Sequence, residues 1–189
     1  GNFLVRSRPR FVDAGFAVAL IDAPSDRRGG AWLQGFRTTP EHVADVKAAI
    51  AALRTRGAPV WLVGTSRGTQ SVAHVATQLQ GADAPDGIVL TSSILVDRRD
   101  VPLPAMPLDR IRVPVVVVHH AQDRCPACPP AELPALMRGL AHAPRKSLVT
   151  LEGGRDEGPP CEAAGHHGFA GIEAQAVAAI TEPIARGWP

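Results

Sequence analysis

Five short apolar runs are spaced along the chain and predict the strands of one sheet. They cover residues 16–22, 59–64, 87–92, 113–120 and 147–153. Each is rich in Val, Leu and Ile with little polar alternation, which is typical of strands buried on both faces. Helical spacing of apolar residues predicts helices between and around these strands, over residues 3–14, 39–57, 66–81, 130–140 and 172–184. This alternation indicates a single α/β domain, residues 1–189, with a mostly parallel, doubly wound sheet.

The helix that begins near Thr39 has the clearest boundary signals. Thr39 offers a capping hydroxyl, Pro40 suits the first turn, and Glu41 places an acid near the positive end of the helix. Gly57 provides the stop signal. The apolar face of this helix is made of Val43, Val46, Ile50 and Leu53.

Composition and charge narrow the possible partners. The chain has 189 residues, of which 45% are hydrophobic and 20% charged, as in ordinary soluble domains. The net charge of +2 is too small to indicate a nucleic acid or an anionic membrane as the partner. No apolar run reaches the roughly 18 residues of a membrane-spanning helix. We therefore expect neither nucleic-acid nor membrane binding.

The segment Gly64-Thr65-Ser66-Arg67-Gly68 joins a predicted buried strand to a predicted helix. A G-x-S-x-G pattern in that setting is typical of a nucleophile elbow, in which a strained turn exposes the serine hydroxyl. Glycines two residues before and after the serine are expected to let strand and helix approach closely. We predict that Ser66 is a nucleophile and that the backbone N–H of Arg67 is one oxyanion donor.

A nucleophilic serine needs a base and an acid that orients the base. Asp123 follows the strand that ends at His120, at the edge where open α/β sheets bind ligands. His166 and His167 come after the last strand, and we prefer His167 as the base because Gly168 permits a tight turn. The predicted set is Ser66, Asp123 and His167, with His166 as the alternative base and Asp97 as the reserve acid.

Other polar and aromatic residues near the predicted site have less specific readings. We expect one of His119 and His120 to lie in the core and the other to line the cleft. Asp22 and Asp26 could serve the site, but turn formation explains them better. Two long irregular stretches, residues 23–38 and 95–108, are expected to shape a pocket. Within the first of them, an apolar acyl site or simple packing onto the core would explain Trp32, Leu33 and Phe36.

Three segments together resemble the α/β-hydrolase superfamily, in particular its dienelactone-hydrolase-like and uncharacterised bacterial branches. They are LVGTSRGT (62–69), HHAQDRC (119–125) and CEAAGHHGFAG (161–171). The resemblance covers nearly the whole chain. It implies a serine hydrolase that cleaves a small-molecule ester, thioester or amide through an acyl-enzyme, without a cofactor.

The start of the chain departs from this pattern. Members of the superfamily have further strands and a Gly-rich oxyanion loop ahead of the first helix, whereas here that helix is expected to begin near Phe3. We therefore expect that N-terminal strands of the family fold are missing from this chain. Asn2 or Phe3 is a candidate for the second oxyanion donor.

The three cysteines allow several arrangements. If Asp123 and His167 belong to one site, Cys125 and Cys161 lie on converging loops, which makes a bridge between them plausible, with Cys128 as the alternative partner of Cys161. Such a bridge would favour an oxidising compartment, a periplasm or the exterior. Free thiols, a redox C-x-x-C at Cys125 and Cys128, and a zinc site that would need a fourth ligand are the other readings. We predict no metal.

Overall fold

The structure, a computed structural model, describes residues 1–27 and 33–186. Its centre is a parallel sheet with the strand order β1-β2-β3-β4. The strands are β1 (Trp61–Thr65), β2 (Gly87–Thr91), β3 (Val115–His120) and β4 (Lys146–Leu151). The helices are α1 (Phe3–Arg6), α2 (Arg8–Asp13), α3 (Pro40–Arg54), α4 (Arg67–Gln78), α5 (Leu133–Gly139) and α6 (Glu173–Ala185). The predicted α/β fold with a parallel sheet is confirmed.

The two inner strands, β2 and β3, are buried along their whole length. Side chains of a strand alternate between its two faces. Ile88, Leu90, Val115 and Val117 pack with α4 and α5 on one face. Val89, Val116 and Val118 pack with α1, α2 and α6 on the other. A sheet covered on both faces explains why these runs contain almost no polar residues.

The helix start predicted at Thr39 is present. The Thr39 hydroxyl accepts a hydrogen bond from the backbone N–H of His42, 3.3 Å away, at the beginning of α3. Val46 and Ile50 of the predicted apolar face are buried, and Val43 and Leu53 are partly buried. They pack against Val60, against Val75 and Leu79 at the end of α4, and against Leu62 of β1, so α3 packs beside α4 at the β1 edge of the sheet.

The strand predicted over residues 16–22 is wrong. That segment has no regular secondary structure, and Val18, Leu20 and Ile21 are 40%, 49% and 56% exposed. A strand forms only where a neighbour accepts its backbone hydrogen bonds. Within the described residues, β1 pairs with β2 alone and no strand pairs with residues 16–22. The apolar composition of residues 16–22 favours a strand, but the described residues include no neighbouring strand with which they pair.

Three further predictions need correction in detail. β4 is an edge strand whose residues alternate between exposed and half-buried, so it is not buried on both faces. The helix predicted over residues 3–14 is broken at Ser7 into α1 and α2, because Pro9 lacks an N–H and sits in the first turn of α2. The helix predicted over 130–140 begins as a 3₁₀ turn and becomes α-helical only at Leu133.

Where the structure describes them, at residues 23–27, 33–38 and 95–108, the two predicted irregular stretches contain only turns and short 3₁₀ helices. Trp32 lies outside the described residues. Phe36 is buried, with its ring 5.3 Å from the ring of His42, so it packs onto α3 as the second reading had it. Leu103 and Leu108 anchor the second stretch in the core. In the part of the chain that the structure describes, no helix is long and apolar enough to cross a membrane.

Candidate active site

Ser66 occupies the turn between β1 and α4. Its φ is 52° and its ψ is −125°, a conformation that non-glycine residues rarely adopt. The turn is held from both sides: Ser66 N–H donates to Thr91 O at 3.0 Å, and Ser66 O accepts from Thr69 N–H at 2.9 Å. Strained backbone of this kind persists only where its surroundings impose it, and it is concentrated at functional sites. The elbow geometry predicted from the motif is therefore present.

The two glycines of the motif differ in whether the structure has room for a side chain. A Cβ on Gly64 would lie 2.5 Å from the carbonyl oxygen of Gly68, so strand and helix can approach only with glycine there. A Cβ on Gly68 would meet nothing within 4 Å. The expectation that both glycines permit the close approach is thus right for Gly64 and wrong for Gly68, whose backbone is the surface that is approached.

Asp123 and His167 are brought together from loops 44 residues apart in sequence. The Nδ1 atom of His167 lies 2.9 Å from Oδ2 of Asp123, and the two residues are only 5% and 6% exposed. The other carboxylate oxygen of Asp123 accepts the N–H of Cys125 at 2.9 Å. Both oxygens are therefore engaged, and the carboxylate is oriented towards the imidazole.

His166, the alternative base, lies elsewhere. Its ring stacks on that of His120, with centroids 4.0 Å apart, and its Nδ1 lies 3.3 Å from Gln122 O. His120 Nδ1 accepts the N–H of Gln122, so its Nε2 carries the proton that is donated to Gly153 O at 2.8 Å. Asp156 Oδ2 lies 3.8 Å from His166 Nδ1, beyond hydrogen-bond distance. The structure thus pairs Asp123 with His167 and places His166 against His120 and Asp156.

Asp97, the reserve acid, is committed to another partner. Its side chain is 4% exposed and makes a short ion pair with Arg67. It also accepts from Gln70 Nε2 at 3.1 Å. Burial alone would raise the pKa of Asp97, but the hydrogen bonds from the Arg99 N–H and from Arg67 outweigh it, and the pKa is lowered. Asp97 fixes the Arg67 side chain and makes no hydrogen bond to His167.

Several residues that hold His167 in place were not found in the sequence. Ser92, with φ 45°, donates its hydroxyl to His167 O at 2.7 Å. Arg6 donates to Gly168 O at 2.5 Å and is paired with Glu173 at 3.0 Å. A Cβ on Gly168 would lie 2.2 Å from Ala163 O, so this glycine is required by a close approach. The only sequence signal for Ser92 was its place directly after β2.

His119 lies beside the acid and is fully buried. Its Nε2 is 3.0 Å from Cys128 O and 3.7 Å from Oδ2 of Asp123. Burial lowers the pKa of His119, so the ring is neutral near pH 7. His120 is fully buried as well, which makes the expectation that one of the two lines the cleft wrong.

The catalytic nitrogen of the predicted base is free. Nε2 of His167 is buried and has no hydrogen-bond partner among the described residues, so it makes no hydrogen bond to Ser66 either. Such contacts are often long in the absence of substrate. Arg67 is the first residue of α4, so its N–H has no acceptor within the helix. The side chain of Asn2 caps α1, Phe3 packs on Phe169, and the second oxyanion donor stays a prediction.

The cysteines link the two loops that carry Asp123 and His167. Cys125 and Cys161 form a disulfide, with their Cα atoms 4.6 Å apart. Cys128 is free, and burial raises the pKa of its thiol, which donates to Ser92 O at 3.3 Å. Donor atoms of Cys125, Cys128 and His167 lie within 4.8 Å of one another. Because the disulfide consumes the sulfur of Cys125, this group offers two donors, too few for a zinc site.

Asp22 and Asp26 keep local roles. Asp22 accepts the N–H of Ala23 at 2.8 Å, and Asp26 pairs with Arg27 at 3.5 Å on the surface. These contacts agree with the turn-forming reading of both residues.

The disulfide should contribute strongly to stability. It closes a loop with a sequence separation of 36, for which chain entropy predicts about 3–4 kcal/mol. We expect Cys161→Ser to lower the free energy of unfolding by that amount in urea denaturation. Reductant should destabilise the wild type and Cys128→Ser but leave Cys161→Ser unchanged. Alkylation of Cys125 and Cys161 without reductant in a peptide map would contradict the bridge.

Gly64→Ala should destabilise the elbow. The new Cβ meets backbone atoms that cannot rotate away, and overpacking of this kind costs about 1–3 kcal/mol or more. Gly68→Ala is the matched control, and its unfolding free energy should stay within about 1 kcal/mol of the wild type. Urea unfolding of both variants measures the difference. Equal effects of the two substitutions would show that the close approach at Gly64 is not made.

His119 should make the fold sensitive to acid. Its folded pKa is lowered by burial, so below the ordinary value of about 6.5 the unfolded chain binds a proton that the folded protein does not. Stability is therefore present above that pH and is lost as the pH falls. We expect the unfolding free energy to decrease between about pH 7 and 5, and less steeply in His119→Gln. An unchanged slope in the variant would contradict this role.

Comparisons with known proteins place the architecture. No family model matches the chain, and no curated relative does. A dienelactone hydrolase-like promiscuous phosphotriesterase from metagenomic libraries is 22% identical with a TM-score of 0.62, covering 98% of this chain and 81% of its own. The esterase domain of a Rhodothermus marinus protein is 19% identical, TM-score 0.52, covering 80% and 71%.

A third solved structure agrees with these two. A truncated carbohydrate esterase from gut microbiota is 16% identical with a TM-score of 0.53, covering 90% of this chain and 75% of its own. At such identities the likeness concerns the backbone arrangement. Together with the parallel sheet and the elbow at Ser66, these three structures show that the chain has the α/β-hydrolase fold.

Proposed function

We propose that this protein is a serine hydrolase that cleaves a carboxylic ester, thioester or amide of a small molecule through an acyl-enzyme. The observation that carries the proposal is the buried Asp123–His167 pair with its unpartnered Nε2. Among the described residues, Nε2 of His42 and Nδ1 of His119 are also buried without a partner, but only His167 combines an unpartnered nitrogen with a carboxylate at hydrogen-bond distance from the other ring nitrogen. That combination is the one a general base needs. Ser66, strained and placed after the parallel strand β1, supplies the hydroxyl that such a nitrogen would deprotonate.

The reaction proceeds in two halves. His167 Nε2 takes the proton of Ser66 Oγ as the oxygen attacks the carbonyl carbon, and the N–H of Arg67 stabilises the oxyanion. Asp123 accepts the Nδ1 proton of His167 in hydrogen bonding and stabilises the imidazolium without taking that proton. The imidazolium protonates the leaving group, and water then attacks the acyl-enzyme by the same route. The product acid is released, and the Ser66 hydroxyl is regenerated.

The solved structures give independent support at a coarser level. The three named above are described as an esterase domain, a dienelactone hydrolase-like phosphotriesterase and a carbohydrate esterase. All three descriptions name hydrolytic activities. Because fold does not determine substrate, they favour hydrolysis for this chain without selecting a bond type.

Two other functions use the same fold. A non-catalytic binding protein has no need of a strained serine, a buried acid–base pair and an unpartnered imidazole nitrogen together. A peptidase or thioesterase would use the same three residues, and only a panel of esters, thioesters and amides can separate these from an esterase. The ester is the least demanding substrate, so we place it first.

Single substitutions test the assignment. Ser66→Ala and His167→Ala should each lower kcat by about 10⁴-fold or more, because the residues act as a unit. Asp123→Asn should cost about 10⁴-fold, since the imidazole would adopt the wrong tautomer. His166→Gln is the matched control and should keep the activity of the wild type. Hydrolysis of 4-nitrophenyl esters measures all four.

A fluorophosphonate probe gives a readout that does not depend on the substrate chosen. It should label Ser66 in the folded protein and fail to label Ser66→Ala. Absence of labelling in folded wild type would sink the enzyme proposal. Labelling of His167→Ala at the wild-type rate would show that another residue activates the serine.

A further inference from the structure

A cavity of about 180 Å³ lies beside the elbow, lined by charged side chains. Its walls are Gln34, Arg37, Arg67, Arg99 and Asp100. Gln34 and Arg37 come from the first irregular stretch and Arg99 and Asp100 from the second, the two segments expected to shape a pocket. An apolar acyl site was one of the two readings of the first stretch, whereas three of these five lining residues are arginines. The volume suits a small group, below the 300 Å³ or so of drug-sized ligand pockets.

In the described part of the chain, two of the three guanidinium groups have no carboxylate within ion-pair distance. Arg67 is paired with Asp97, but within the described residues the side chains of Arg37 and Arg99 make no hydrogen bond and no ion pair within 4.0 Å. Arg37 is half-buried, and burial lowers its pKa, with Asp100 acting in the opposite direction and Arg67 in the same one. Asp100 offsets part of the cost of burying Arg37, but it makes no ion pair with it, so an anionic ligand would supply the close partner that Arg37 lacks. Arg99 is exposed and has no comparable desolvation cost.

Asp100, the acidic residue in the cavity wall, accepts hydrogen bonds from two backbone N–H groups. Asp100 accepts the N–H of Gly35 at 3.2 Å with one oxygen and the N–H of Val101 at 3.2 Å with the other. This contact joins the two irregular stretches and holds Arg37 near Arg99. With Asp97 and Asp100 counted against three arginines, the walls keep one net positive charge.

The cavity is close to the predicted nucleophile, because Arg67 directly follows Ser66. We infer that Arg37, Arg67 and Arg99 form a subsite for an anionic group, a carboxylate or a phosphate, carried by the substrate whose ester is cleaved at Ser66. Guanidinium groups bind both anions through paired N–H donors. That the anion belongs to the substrate rests on the proposed hydrolysis, whereas the anion site itself does not.

Kinetics with pairs of esters that are similar in size but differ in charge test the subsite. One pair carries the charge on the acyl side, 4-nitrophenyl hemisuccinate against 4-nitrophenyl butyrate. The other carries it on the leaving group, 4-acetoxybenzoate against phenyl acetate. We expect kcat/KM to favour the anionic member of at least one pair. Arg37→Gln should reduce that preference about tenfold to hundredfold, the effect of losing a hydrogen bond to a charged group.

The controls separate local from general charge effects. Arg56→Gln removes an exposed arginine after α3 and should leave both members of each pair unchanged. Arg37→Lys should restore part of the preference, since it returns the charge without the planar fork. All measurements use one ionic strength because screening changes exposed electrostatics. Equal preferences in the wild type and Arg37→Gln would overturn the subsite.

Direct binding separates the subsite from the hydrolase proposal. In the Ser66→Ala protein, inorganic phosphate or succinate should shift the Nε–H signals of Arg37 and Arg99 in ¹H–¹⁵N spectra, and Arg37→Gln should weaken binding. The anion that binds more tightly distinguishes a phosphate from a carboxylate substrate. Shifts without any ester hydrolysis by the wild type would retain the anion site and remove the proposed function. Hydrolysis without shifts and without a charge preference would do the reverse.

Discussion

The hydrogen bond between Asp123 and His167, 2.9 Å long and almost fully buried, is the interaction on which the site depends. A buried carboxylate is costly unless its oxygens are engaged, and here one accepts from Cys125 and the other faces the imidazole. The Cys125–Cys161 disulfide ties together the loops that carry the pair, and Ser92 holds the carbonyl of His167 from the end of β2. The loops are long, but the disulfide and these hydrogen bonds hold the pair in place.

Arg67 connects the two chemistries proposed for this protein. Its backbone N–H is at the start of α4, beside the strained Ser66, where an oxyanion would form. Its side chain is held by the buried Asp97 and forms one wall of the arginine-lined cavity. The same residue would thus stabilise charge at the reacting carbonyl and orient a charged substrate. Asp97, the reserve candidate for the acid, holds the Arg67 side chain instead.

The sequence predicted much of this from local signals. Gly64 and Ser66 after an apolar run indicated the elbow, and Asp123 and His167 followed in the order known for the fold. The prediction failed at residues 16–22, whose apolar run lacks a strand to pair with among the described residues. It also missed Ser92, because a serine after a strand carries no distinguishing pattern.

By itself, the sequence determined the order of the four strands of the parallel sheet and of the helices around them, and it supplied the three residues that we propose for acyl transfer. Hydrophobic periodicity and turn residues act over a few positions, so they suffice for those decisions. Only the tertiary structure placed His167 rather than His166 against Asp123, assigned Asp97 to Arg67, and gathered Arg37 and Arg99 around one cavity. These are contacts between loops far apart in sequence, and their distances depend on how the strands pair and how the helices pack on the sheet.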